Sequence, residues 1–180
     1  HRVRGYEEEI LRLRPQNDNP PPLREKFGTC NGGPTMTARL TDAQLRFVQA
    51  QRIGHLATTS ASGEPHVMPV CYACDGERFY IAIDEKPKRP GRTLQRVRNI
   101  EATHRAALII DRYDDTDWSR LAWLHVRGPV TMFGPDDPEH AGIIALLRVR
   151  YSQYRAMRLE DAPVIAITPQ HVTGCGAIEP

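Results

Sequence analysis

Between Arg78 and Asp84, Phe79, Ile81 and Ile83 alternate with Tyr80 and Ala82, a period of two that predicts a strand. Two strand-like runs precede it, Ile53 to Ser60 and Pro65 to Cys74, separated by Ala61-Ser62-Gly63-Glu64 with glycine where a hairpin turn needs it. Asp75-Gly76-Glu77 is a second turn, so the three runs read as a meander. Elsewhere the spacing becomes helical. Thr41-Asp42-Ala43-Gln44 has the form of a capping box between Leu40 and Leu45, and predicts a helix from about Asp42 to Gln51. Leu94, Val97 and Ile100 predict a second helix from about Arg92, with Arg92, Arg96 and Asn99 on a different side. Arg105 to Arg112 and Leu121 to Phe133 read as strands, the latter long enough to bend or cross between sheets, with Gly128-Pro129 as its bulge. Asp136-Asp137-Pro138-Glu139 opens a third helix carrying Ile143, Ile144, Leu146 and Leu147. Pro163 to Thr168 is the last strand and continues to about Gly174.

About six strands with antiparallel connections, one helix after the third and another before the last, predict an α+β fold built round a barrel. A doubly wound parallel sheet would need a helix after nearly every strand. The chain has 180 residues, 40% hydrophobic and 26% charged, which suits one core. Residues 1–35 stand apart: a short charged pattern, then Pro20-Pro21-Pro22 and a glycine-rich stretch, predict a flexible extension, with 36–180 as the folded domain and Met36 as a candidate native start. No apolar run reaches the roughly 18 residues of a membrane helix, and His1-Arg2-Val3-Arg4 lacks a signal-peptide core, so the expected location is cytoplasmic.

The formal net charge is only +2, yet Lys86, Lys88, Arg89, Arg92, Arg96 and Arg98 follow one another with no intervening acid. Strand, short Pro/Gly loop and helix is an arrangement that aims helix amides and cations at an anion such as phosphate. A solvated basic face is the plain alternative. Nucleic acid fits less well, because no aromatic stripe is interleaved with the cations. Cys71 and Cys74 form a Cys-x-x-Cys pair inside a strand-like run, which reads as buried thiols rather than a metal knuckle, and no metal is expected. His55, His66 and His125 read as structural histidines, His66 being the best placed of them for a site.

Several segments in this order resemble the pyridoxamine 5′-phosphate oxidase-like split β-barrel superfamily, and more closely its branch that uses the deazaflavin coenzyme F420. They are His55-Leu56-Ala57-Thr58-Thr59 with Gly63-Glu64-Pro65-His66-Val67-Met68-Pro69-Val70, then Asp84-Glu85-Lys86-Pro87-Lys88, Arg96-Val97-Arg98-Asn99-Ile100, and Asp111-Arg112-Tyr113-Asp114 leading to Asp117-Trp118-Ser119. The resemblance implies a predominantly antiparallel, Greek-key-like split barrel with a few flanking helices, assembled as a homodimer whose cofactor sites lie at the subunit interface. It implies a cofactor ring along Met68, Pro69 and Val70, preceded by His66, and a phosphate at Lys86, Lys88 and the helix start at Thr93. Thr58 and Ser60 are implied partners of the ribityl chain or ring edge, and Trp118 and Trp123 of a neighbouring site. Asn99 reads as a structural or cofactor hydrogen-bonding group. His104, Thr116 and Cys175 depart from the pattern.

The implied activity is an F420-dependent hydride transfer between the reduced deazaflavin and a small conjugated acceptor. No catalytic acid–base pair is needed, since hydride transfer is intrinsic to the cofactor. Arg89, Arg92 and Arg96 extend the cationic field beyond one phosphate, which suits an acidic tail. Two alternatives stay open: an FMN-dependent oxidase or reductase on the same fold, and a non-catalytic flavin- or haem-binding protein with His66, His125 or His171 as axial candidates.

Overall fold

The capping box at Thr41 forms as its spacing predicts: the Gln44 amide donates to Thr41 Oγ1 (3.2 Å) and the Thr41 amide donates to Gln44 Oε1 (3.0 Å). It opens helix α1 (Asp42–Ala50) in a computed structural model that describes residues 38–83 and 93–178. Strands β1 (Gly54–Thr59), β2 (Pro65–Val70), β3 (Ala73–Cys74) and β4 (Phe79–Ala82) follow, then α2 (Gln95–Thr103) and β5 (Arg105–Arg112). The chain ends with β6 (Ala122–Phe133), α3 (His140–Arg150), β7 (Val164–Ile167) and β8 (His171–Gly176). The N-terminal segment, Cys30 and the cations Lys86, Lys88, Arg89 and Arg92 lie outside the described residues.

All pairings are antiparallel, in the order β2-β1-β5-β6-β7-β4-β3, with β8 also on β6. The fold is therefore the curled antiparallel α+β barrel expected. Strand β6 joins its two halves: Ala122 to Arg127 pairs with β5 and β8, and Val130 to Phe133 pairs with β7. Gly128 lies at the change of sheet. A Cβ there would sit 1.9 Å from the Thr168 carbonyl oxygen, so only glycine lets the β7–β8 connection pass so close.

The described residues form eight strands where about six were expected, because two predicted runs break. Pro65 to Cys74 leaves the first sheet at Cys71-Tyr72, and Tyr72 turns fully inward. Its hydroxyl lies 2.6 Å from Val48 O and 3.1 Å from Gln51 O at the end of α1, and its amide donates to Tyr151 Oη (3.1 Å). Those bonds replace a ladder. The last run breaks at Thr168–Gln170, where the Thr168 amide donates to Pro129 O and the Gln170 amide to Arg127 O, each at 3.0 Å.

The two halves are covered differently. β4 and β7 are buried on both faces, packed inside against Leu56, Leu108 and Leu124 and outside against Ile143, Ile144 and Leu147 of α3. β5 instead alternates, burying Ala106, Leu108 and Ile110 and exposing Arg105, Ile109 and Asp111. The outer face of β2-β1-β5-β6-β8 thus has no helix over it among the described residues. No described helix is long and apolar enough to cross a membrane.

Candidate functional site

Among the described residues β2 is an edge strand with β1 as its single ladder partner, so the backbone groups on its other side are free of the described sheet. Val67 is 59% exposed, and Met68 and Pro69 are exposed beside it. Val70 is instead in the core, so of the three residues expected along a cofactor ring, two are exposed and the third anchors the strand. His66 pairs across the ladder with Thr58, and its Nδ1 is buried with no hydrogen-bond partner among the described residues. A buried ring nitrogen left in that state is open to a ligand group or water.

Thr58 and Asn99 are 3% and 2% exposed and hold each other: Asn99 Nδ2 donates to Thr58 Oγ1 (3.1 Å). Gln95 Nε2 donates to Asn99 Oδ1 (2.7 Å), and Thr103 Oγ1 donates to Asn99 O (2.8 Å). This chain ties α2 to β1 and fixes the helix that follows the basic loop. Ser60 lies in the β1–β2 turn, its Oγ 2.9 Å from Ser62 Oγ and accepting from the Glu64 amide at 3.0 Å. Thr93 is exposed just before α2, and Arg96 is half-buried within it. The loop cations expected at the phosphate fall outside the described residues.

Trp118 is not brought to this group. It is 57% exposed on a 3-10 turn (Trp118–Arg120) beyond Arg112, whereas Thr58 lies near the Arg105 end of β5. Within one chain they flank opposite ends of that strand. Trp123 projects from β6 onto the same open face as Ile109, close to the His55–Asp111 pair (Nδ1 to Oδ1, 3.4 Å).

Residue-by-residue reading of the sequence missed a trough on this open face. A cavity of about 530 Å³ is lined by Thr59, Arg105, Ala107, Arg127 and His171 among others. Its signal was present in the alternation of Arg105 with Ala106 and of Arg127 with Val126, but finding it required the register between strands. Next to it, burial and then the Arg127 charge hold His125 below the usual imidazole range. In the Cys-x-x-Cys pair, burial pushes the Cys74 thiol up to about 11, which keeps it in the unreactive thiol form. Among the described residues, no group of three or more histidine, cysteine or acidic side chains is placed to hold a metal ion.

Comparison with known proteins connects these features. One relative is the 5a,11a-dehydrotetracycline/5a,11a-dehydrooxytetracycline reductase of Streptomyces rimosus, 37% identical over 71 residues, 39% of this chain and 48% of that protein. The chain thus matches about half the length of that curated relative. Among solved structures, one described as an F420 reductase is 25% identical with a TM-score of 0.51, covering 74% of this chain and 98% of that one. The heme storage protein HutZ from Vibrio cholerae shares the fold at 20% identity and a TM-score of 0.58, covering 75% of this chain and 94% of its own. The family model for pyridoxamine 5′-phosphate oxidase matches residues 40–176, nearly all of the described fold, and the chain belongs to that family.

Proposed function

We propose that the protein is an oxidoreductase that uses the deazaflavin F420, with its ring against the free edge of β2. The observation that carries this reading is the exposed Val67-Met68-Pro69 edge with the unpartnered His66 Nδ1 beneath it. Backbone donors and acceptors in alternation suit the polar rim of a tricyclic ring, and His66 can donate to or accept from it. When bound, reduced F420 supplies a hydride to a small conjugated acceptor. The protein's own part is to orient and to exclude water. Thr58 and Asn99 hold α2 in place, so that Thr93, Arg96 and the basic loop ahead of them meet the phosphate and the acidic tail. Likeness to a dehydrotetracycline reductase and to an F420 reductase supports this choice of cofactor and acceptor class.

Two copies would complete the site. Val67 and Ile109, with Trp123 at 36% exposure, lie on one open sheet face together with Pro69. Apolar side chains grouped in this way mark an association surface. Packing a second chain there also offers a route for the partner's Trp118 region to reach the β2 edge, which one chain alone does not provide.

Titration of the purified protein with F420, FMN and haem, followed by fluorescence or absorbance, tests the reading. F420 is expected to bind, with affinity that weakens as salt rises through the range where the Debye length falls to about 8 Å. Tight FMN binding without F420 binding overturns the cofactor. Haem binding alone overturns the activity.

A further inference from the structure

The open face is graded along its strands, in bulk and in charge. Side chains directly opposite one another in a ladder project to the same face, so Val67, Ala57, Ala107 and Arg127 form one rung across β2, β1, β5 and β6. Pro69, His55, Ile109 and His125 form the next rung. The two alanines at the centre of the first leave the low apolar floor of the trough, whereas the second presents the exposed Ile109. Arg105 lies one step beyond the first rung, opposite Pro129, and Asp111 one step beyond the second, opposite Trp123. On this face β5 therefore carries, in order, a cation, a small residue, a large one and an anion. Read against itself in reverse, that series is self-complementary.

Within one chain the charges at the two ends are only loosely engaged. Arg105 Nη2 donates to the neutral amide oxygen of Gln170 (3.0 Å), which steadies the guanidinium and leaves its charge unmatched. Among the described residues neither Arg105 nor Arg127 makes an ion pair. Asp111 is exposed and has only His55 beside it, Oδ1 to Nδ1 at 3.4 Å. Of the ladder residues on this face, Arg105, Arg127 and Asp111 are the ones with a fixed charge.

A face stacked on a second copy of itself has its twofold axis in the plane between the two sheets. An axis along the strands sets like ends together, so that the Arg105 and Arg127 ends meet and repel. An axis across the strands runs the partner's strands antiparallel and sets unlike ends together. We infer that two copies of this chain stack about an axis crossing β5 at Leu108, with Arg105 of each paired to the partner's Asp111 and the partner's Ile109 filling the alanine floor. The trough is then a closed seam of the dimer. This inference rests on the two-copy reading of the proposed function and gives that assembly its orientation. The same rotation carries the partner's Trp118 turn, which lies beyond the Asp111 end, to the Arg105 end of β5, where Thr58 lies.

The test reads the dimer dissociation constant of the full chain by sedimentation velocity over a dilution series, without cofactor. Arg105→Glu and Asp111→Arg each set like charges opposite one another at both symmetric contacts, and each should raise the constant at least about tenfold. The double variant exchanges the two charges and should return to within about threefold of wild type. Ala107→Leu, which fills the floor, should raise the constant at least about tenfold as well. Arg39→Glu makes the same change in charge away from this face and should leave the constant unaltered. Far-UV circular dichroism should match wild type for every variant. A wild-type chain still monomeric at about 100 μM overturns both the inference and the two-copy reading. A wild-type dimer that is indifferent to the single charge reversals, or weakened by them and not restored by the double variant, overturns the orientation alone. Cofactor binding is not read, so the choice of F420 stands or falls separately.

Discussion

Asn99 has its side-chain oxygen and nitrogen both engaged inside the protein, by Gln95 and Thr58. Asn99→Ala should therefore leave the buried Thr58 hydroxyl unmatched and lower stability by about 1–3 kcal/mol, read as a shift in urea midpoint at unchanged slope. Thr58→Val, which removes only the acceptor, should weaken the protein less. Asp75 in the β3–β4 turn gives a pH signature. Burial works against its charge, but the Arg78 amide (2.7 Å), the Tyr80 hydroxyl (2.7 Å) and the Glu77 amide (2.8 Å) all donate to it and hold the carboxyl below its usual range. The folded value lies below the unfolded one, so the stabilisation is complete above about pH 4 and is lost as pH falls through the folded value. The urea-midpoint gap between wild type and Asp75→Asn should shrink from pH 6 to pH 3; a gap independent of pH would remove the electrostatic account. At this scale the sequence announced which residues matter better than what they touch. Thr58 and Asn99 stood in recognisable segments, but their bond spans 41 positions and no local pattern records it.

At the scale of elements, most boundaries followed from periodicity, and both broken runs failed for one physical reason. Tyr72 and Thr168 sit where the chain transfers between sheets, and their backbone bonds go to distant groups that periodicity cannot see. The crossing of β6 was legible, because twelve residues exceed what one sheet needs and Gly128-Pro129 interrupts them. Gly128→Ala should destabilise by at least about 2 kcal/mol, since the added methyl meets backbone rather than a flexible side chain. Thermal melts of Gly128→Ala beside Gly142→Ala, an exposed helical position with nothing within 4 Å of the new atom, separate crowding from a general effect of the substitution. The end of α1 shows the same dependence on distance. It has no basic residue in its last turn, and Arg150 from α3 donates instead to Val48 O and Gln49 O, each at 3.1 Å, and to Gln51 O. A helix cap contributed from about a hundred residues away is invisible to capping rules read along the chain.

For the whole molecule, the curled antiparallel barrel and its family were legible from segment order, while the open face was not. Its trough depends on register: shifting β5 against β6 by one residue would exchange Ala107 for Ala106 or Leu108 opposite Arg127 and erase the floor. The same topology has a consequence for how the protein is made. β6 is the strand on which both halves depend, yet two of its three partners, β7 and β8, begin at Val164 and His171. On a ribosome adding about 5–20 residues per second, β6 emerges seconds before either can reach it. During that interval its edge is an open template for neighbouring chains. A chain ended after Asp161 should therefore be protease-sensitive and aggregate on expression while the full chain stays in solution, and recovery of the full chain should improve when translation is slowed or holding chaperones are raised. Closure of this barrel belongs to the last moments of synthesis.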